Sequence, residues 1–327
     1  MAGRIRTAVV GVGHFGARHA EKYAAHGGAD LAFVVDSDRA RAADVGARLG
    51  ATATTELGDL VGAVDAASVA VPTPHHYAVA RTLLEHGIHV LVEKPITDRL
   101  ELAEDLIVLA EARGLVLQVG HIERFSPAFE ALRSRVRRPL YIECTRVSAF
   151  SGRSTEIDVV LDVMIHDIDL VLALVKARLE SVDAVGAPVL GSRDDIANTR
   201  LMFDNGCVAN VTASRVSNKT ERKMRVFQAD AYIVADFAGG KLVHVRKGKG
   251  EMMPGIPAIE REEHDIGTAD ALEREIAAFL DSVATGAPVR VTGRDGAEAL
   301  AAALLVGTSL TDHRKRLSGD VGLGLAG

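Results

Sequence analysis

IRTAVVGVGHFG, residues 5–16, is an apolar run that passes directly into three glycines spaced G-x-G-x-x-G. Each glycine has its own physical task. Gly11 permits a tight turn, Gly13 lets backbone come close to a pyrophosphate, and Gly16 lets the following helix pack on the strand. Val12, His14 and Phe15 complete the turn. The helix that begins here aims its unsatisfied N–H groups and the positive end of its dipole at the turn, which suits a phosphate. The motif alone also fits a strand–helix turn with no ligand. Here it follows a strand, opens a helix, and is answered by Asp36, 20 positions past Gly16 at the end of the second apolar run. A carboxylate that accepts from a ribose hydroxyl belongs at that place, with Ser37 beside it. Such a carboxylate repels a 2′-phosphate, so NAD is expected rather than NADP, although Arg39 is close enough to argue the other way.

The pattern extends outward from this turn. Apolar runs at 5–10, 31–35, 66–71, 89–92 and 115–119 alternate with helical stretches at 16–26, 38–49, 76–86 and 98–113. The runs are apolar on both faces, as strands of a parallel sheet covered by helices must be. Thr97 and Asp98 are candidate caps for the last helix, and Gly114 ends it. After His121 strand-like runs follow one another, at 140–149, 181–189, 197–203, 207–215, 223–227 and 231–236. Asp204-Asn205-Gly206 makes a hairpin of two of them. A helix is expected at 156–176 and two more at 269–284 and 295–308, with a mobile loop at 247–255 and a loose tail at 317–327. The expected fold is therefore α/β: a doubly wound Rossmann domain at 1–121, then an α+β domain at 122–327 with a large, open, mostly antiparallel sheet.

Composition narrows the function. The chain has 327 residues, with 38 Lys and Arg against 44 Asp and Glu and a formal net charge of −6. This balance argues against nucleic acid as a partner, since binding it needs a cationic surplus. No uncharged stretch reaches the ~20 apolar residues of a membrane span. The short apolar run near the N-terminus turns into the glycine motif, so a strand explains it better than a signal peptide. Two cysteines, Cys144 and Cys207, make neither a disulfide framework nor a metal cluster, and a cytoplasmic protein with reduced thiols is expected.

Three side chains outside the turn attract attention. Lys94 sits at the carboxyl end of a strand, in the crevice where open α/β sheets bind ligands. Asp162 and His166 are four apart, hence on one helix face, and Asp158 and Asp169 extend the stripe. A solvated polar face would look the same. So would a zinc site, or a base and its partner, since an imidazole with a pKa of about 6.5 accepts a proton at neutral pH. Arg153, and Lys219, Arg222 and Lys223, have the charge for a diphosphate, but each taken alone suits a solvated loop better.

GVGHFGARHA at 11–20, Val71-Pro72-Thr73-Pro74 with His76, Glu93-Lys94-Pro95, GHIERFSP at 120–127, the segment LDVMIHDID at 161–169 and the Leu272, Glu275, Phe279, Gly286, Pro288 pattern resemble the Gfo/Idh/MocA family of sugar and cyclitol dehydrogenases. The resemblance covers nearly the whole chain. It implies hydride transfer between a carbinol and a nicotinamide, and dimers or tetramers assembled through the large sheet. Cofactor contacts are implied for Val71, Pro72, Thr73, His76, Glu93, Lys94 and Pro95, with a possible cis bond before Pro95. Lys94, Asp162 and His166 become the catalytic set, and no metal is used. By position alone His121 and Arg124, after the fifth strand, and Arg153, before the catalytic helix, are candidate substrate contacts, with a structural role as the alternative for the first two and a solvated one for the third. Val159, Val160 and Met164 stand where many members have glycine. This version looks most like a subgroup acting on nucleotide sugars, which implies oxidation of UDP-N-acetylglucosamine at C3 in lipid A precursor synthesis. Myo-inositol or another free polyol as substrate remains open, as does a silent NAD- or sugar-sensing protein.

Overall fold

The computed structural model describes residues 3–150, 158–267 and 269–320. The chain divides into two units, Met1–Phe125 with Asp270–Leu300, and Ser126–Ala269 with Ala301–Gly327.

In the first unit β1 (Ile5–Val10), α1 (His14–Ala25), β2 (Ala29–Val35), α2 (Arg39–Leu49), β3 (Thr52–Thr54), β4 (Ala66–Val69), α3 (His76–Glu85), β5 (His89–Glu93), α4 (Leu100–Arg113) and β6 (Leu117–Gly120) alternate. The six strands are all parallel in the order β3-β2-β1-β4-β5-β6, the doubly wound arrangement. Val9, Ala66, Val90, Leu91 and Val92 are fully buried, because helices cover both faces. The capping of α4 differs from expectation. Its N-cap is Arg99, with no side-chain cap, and the Thr97 hydroxyl donates to the Arg99 carbonyl at 2.7 Å. Gly114 ends the helix in the left-handed region at φ 64°, as expected.

The second unit carries α5 (Pro127–Arg133), β7 (Tyr141–Val147), α6 (Ile165–Val175), β8 (Leu179–Ala187), β9 (Ile196–Phe203), β10 (Val208–Ser214), β11 (Glu221–Gln228), β12 (Ala231–Asp236), β13 (Lys241–Met253) and β14 (Ile256–Asp265). Eight strands form one sheet in the order β14-β13-β12-β11-β7-β10-β9-β8, antiparallel except for β7 with β10. The β9–β10 hairpin turns at Gly206, φ 83°. Burial alternates along these strands: Ala197, Thr199 and Leu201 are buried between exposed Ile196, Asn198 and Arg200. That alternation marks a sheet packed on one face.

α7 (Ala271–Thr285) and α8 (Gly293–Asp320) close the chain. The single break expected at 121 differs from the observed division, because α7 and the start of α8 belong to the first unit. Leu272, Ile276, Phe279 and Leu280 of α7 share a core with Val9, Val12, Ala20 and Tyr23. Burying a side chain such as Phe279 contributes about 1.5–3 kcal/mol, which favours this docking over exposure. Val119 also takes a backbone bond from its N–H to the Val291 carbonyl at 3.0 Å.

Two further expectations are corrected. Residues 247–255 form no loose loop: β13 runs to Met253 and pairs with β14. α8 is longer than the expected 295–308. The tail beyond 320 lies outside the described residues.

Candidate active site

In the first unit the glycine turn has the geometry the sequence calls for. Gly11 has φ 82°, and a Cβ there would stand 2.8 Å from the Ala70 backbone. A Cβ on Gly16 would stand 1.7 Å from the Gly11 carbonyl oxygen, so the helix closes on the strand with no room for a side chain. Gly13 is different: a Cβ there meets nothing within 4 Å. Gly13 also caps α1 without a side-chain bond, which leaves the first N–H groups of the helix facing the turn. Open space, a bare helix start and an acid at the end of β2 fit a dinucleotide. His14 is exposed and Phe15 packs edge-on against His19, with ring centroids 5.3 Å apart.

Asp36 is buried and fixed on all sides. Its Oδ2 accepts from Val12 N–H at 2.9 Å and its Oδ1 from Asp38 N–H at 2.9 Å. Arg41 lies 3.2 Å from both oxygens. The cation beside Asp36 is thus Arg41, the third residue of α2, and not Arg39, the neighbour that sequence distance suggests. Ser37 is exposed next to it.

A second cluster gathers at the ends of β4 and β5. His76 is buried, with Nδ1 2.8 Å from the Pro95 carbonyl and Nε2 2.8 Å from the Val71 carbonyl. Burial lowers its pKa, while the two carbonyl oxygens, both acceptors, pull the other way. A neutral ring has one N–H and donates to one of them only. Pro72 is exposed, and Val71 and Thr73 are partly so, just before the short helical turn Thr73–His75. The Lys94–Pro95 bond is cis. Lys94 is half-buried, while the Glu93 carboxylate turns to His19 Nε2 at 3.1 Å. His121 is buried after β6, and Arg124 reaches Asp295 at 3.4 Å.

In the second unit the one long helix expected at 156–176 begins outside the described residues, and its described part is two pieces. Val160–Met164 is a π-helical turn, followed by α6. Asp162 lies in the wide turn and His166 at the start of α6, both half-buried. Wide turns of this kind recur at functional sites. Asp158 accepts from Val160 N–H at 2.8 Å and starts the segment. Asp169 does not extend an exposed stripe; it is fully buried. Next to His166, Asp167 receives Arg146 of β7 in a two-pronged pair, Nε to Oδ2 and Nη2 to Oδ1, each 2.9 Å. Both are buried, so β7 anchors the helix one residue from the imidazole. A further buried pair, Arg215 with Asp195 at 2.8 Å, fixes the 189–191 turn. Burial works to raise the Asp195 carboxyl, but three backbone N–H groups and Arg215 outweigh it and hold it at about 2. Arg153 lies outside the described residues. Lys219 and Lys223 pair with Glu221 and Asp236. Cys144 and Cys207 are buried, and burial pushes Cys207 up to about 11, so neither is a reactive thiol.

Comparison with known proteins completes the picture. Residues 5–121 match the model described as an oxidoreductase family with an NAD-binding Rossmann fold, and 131–244 match the GFO/IDH/MocA C-terminal domain. The chain belongs to the Gfo/Idh/MocA family. It is 43% identical over 303 residues to UDP-N-acetylglucosamine 3-dehydrogenase of Acidithiobacillus ferrooxidans, covering 92% of this chain and 96% of that one. A crystal structure of that enzyme, GnnA, superposes with a TM-score of 0.89 at 40% identity, over 96% of this chain and 99% of the other. Scyllo-inositol 2-dehydrogenase (NAD(+)) of Bacillus subtilis is 28% identical, covering 90% of this chain and 91% of that one. GenD2 from gentamicin A biosynthesis, in complex with NAD, shares the fold at a TM-score of 0.80 and 22% identity, covering 95% of each chain. The family's members are oxidoreductases, and this chain is a dehydrogenase acting on CH–OH groups, with NAD as its cofactor. No described helix is long and apolar enough to cross a membrane.

Proposed function

We propose that this dehydrogenase oxidises the 3-hydroxyl of UDP-N-acetylglucosamine in lipid A precursor synthesis, in the cytoplasm, as a homodimer or homotetramer assembled through the eight-stranded sheet. The observation that carries the substrate is the 43% identity over 92% of the chain, against 28% for the inositol enzyme. The chemistry NAD supplies is acceptance of a hydride at its nicotinamide C4. His166 takes the hydroxyl proton on a ring nitrogen. Asp162 favours the imidazolium that results. The Lys94 ammonium holds the reacting oxygen and stabilises its developing negative charge. His121, Arg124 and Arg153 are proposed substrate contacts, and Gly11–Gly16, Asp36, Ser37, the Val71–Thr73 segment, His76 and Glu93–Pro95 the cofactor contacts.

Mixing the protein with NAD and a panel of nucleotide sugars, free sugars and inositols, with a ketone-trapping reagent, tests the substrate by NADH absorbance. Turnover on UDP-N-acetylglucosamine above the others is expected. Turnover confined to inositols would replace the substrate, and tight NAD binding with no turnover anywhere would favour a sensor. Lys94→Ala is expected to lower kcat by roughly 10²–10³, the usual cost of deleting a group that stabilises a developing charge. The fold should be spared, as circular dichroism would show. An unchanged kcat would take Lys94 out of the reaction.

A further inference from the structure

Beneath the Lys94 segment lies a polar cluster in which His19 and Glu275 have no part in the proposed reaction. His19 of α1, Glu93 of β5 and Glu275 of α7 bring one ring nitrogen and two carboxylates within 4.8 Å of one another. His19 and Glu275 are fully buried. Behind His19 the chain of bonds continues inward, with Nδ1 3.1 Å from Ser68 Oγ and Ser68 Oγ 2.8 Å from Tyr23 Oη. Gly120 leaves space for the Glu93 carboxylate, since a Cβ there would stand 2.6 Å from its Oε1. Glu93 is satisfied by His19. Glu275 is not: neither of its carboxylate oxygens has a hydrogen-bond partner among the described residues. Two carboxylate charges this close, with one wholly out of water, are too costly to coexist.

We propose that Glu275 is a positioning residue in the form of a neutral carboxylic acid, leaving Glu93 as the single anion of the cluster and so fixing the strand end that bears Lys94. Burial, and then the neighbouring Glu93 charge, push Glu275 well above the ordinary carboxyl range. The groups around it agree with one charge rather than two. From α1 come His19 and Tyr23, whose hydroxyl is also pushed up by burial, and Lys22, which turns instead to Asp270 at 2.6 Å. From β6 comes Gln118, whose side-chain N–H donates to the Glu275 backbone carbonyl at 3.2 Å. The turn Ile122–Phe125 adds Glu123 and Arg124, the latter directed to Asp295. A second anion on Glu275 would push Glu93 away from His19, and Lys94 is the next residue. The effect on Lys94 rests on the dehydrogenase reading; the proton on Glu275 does not.

Linkage gives the sign. The unfolded side chain loses its proton near the usual value of about 4.3, while the folded one keeps it. The folded state therefore loses stability relative to the unfolded one as pH rises from there through the raised folded value. Glu275→Gln keeps the shape without the proton. It is expected to raise the melting temperature at about pH 8 and to match the wild type at about pH 4. Infrared spectra at neutral pH should show a protonated-acid carbonyl band that disappears in Glu275→Gln. Glu275→Leu should lower kcat by roughly 10- to 100-fold through a misplaced Lys94, and Glu275→Gln should restore most of it.

The proposal is overturned by absence of that band, by a lower melting temperature for Glu275→Gln at about pH 8, or by equal kcat in all three proteins. A metal ion bound in stoichiometric amount by the wild type and lost in Glu275→Gln would overturn it too, since a cation would then hold the place given to the proton. Should Glu275→Leu not fold, the infrared and melting comparisons with Glu275→Gln still decide. A wild type without turnover on any sugar would count against the substrate reading alone.

Discussion

Replacing His166 by alanine is expected to lower turnover by roughly 10²–10⁴, the range for deleting a general base, with little change in NAD affinity. The side chain is half-buried at the start of α6 and the imidazole is not part of the core, so removing it should leave the fold intact. Circular dichroism and an NAD titration separate the two effects. A variant that folds, binds NAD and turns over at the wild-type rate would exclude His166 as the base. Asp162→Asn is the natural companion, because it keeps the shape and removes the charge that favours the imidazolium.

Arg146→Met should destabilise the second unit by about 3–5 kcal/mol, because it leaves a buried carboxylate without the guanidinium that neutralised it. The pair is two-pronged and both members are buried, unlike the exposed cross-strand pairs Arg246–Glu260 and Arg246–Glu262, each worth about 0–1 kcal/mol. A urea unfolding midpoint measures the loss. Replacing both partners, Arg146→Met with Asp167→Leu, should recover much of it, since an apolar pair of similar volume removes the burial cost altogether. If the double variant is no better than the single one, the packing of β7 against α6 matters more than the charge. Turnover of Arg146→Met should fall as well, because Asp167 adjoins His166 in the chain.

The first unit was legible because its signals are local. Strands apolar on both faces, glycines at fixed intervals and an acid at a strand end need no knowledge of distant partners, and the observed strand order follows from them. The second unit was legible as strands and hairpins, but residues 247–255 misled. Their glycines and charges look like a loop, whereas β13 and β14 hold together there by backbone pairing with little burial. Arg146 carried a signal that was overlooked. Along β7 it shares the buried phase of Ile142 and Cys144, and an arginine facing inward needs a carboxylate. The wide turn at Val160–Met164 had none, since its residues suit an ordinary helix equally well. The return of α7 to the first unit, and with it the meeting of Glu275 and Glu93, depends on which apolar faces fit, and no local pattern encodes that.

The three glycines of the first turn answer to different masters. The outer two are compelled by the protein's own interior, where a methyl at either place collides with main chain whether or not anything is bound. Only the middle position looks onto free space. A descendant that had abandoned its nucleotide could therefore change Gly13 and still fold, yet would go on carrying Gly11 and Gly16 as a relic, so among such offspring the middle letter alone is a witness to continued use.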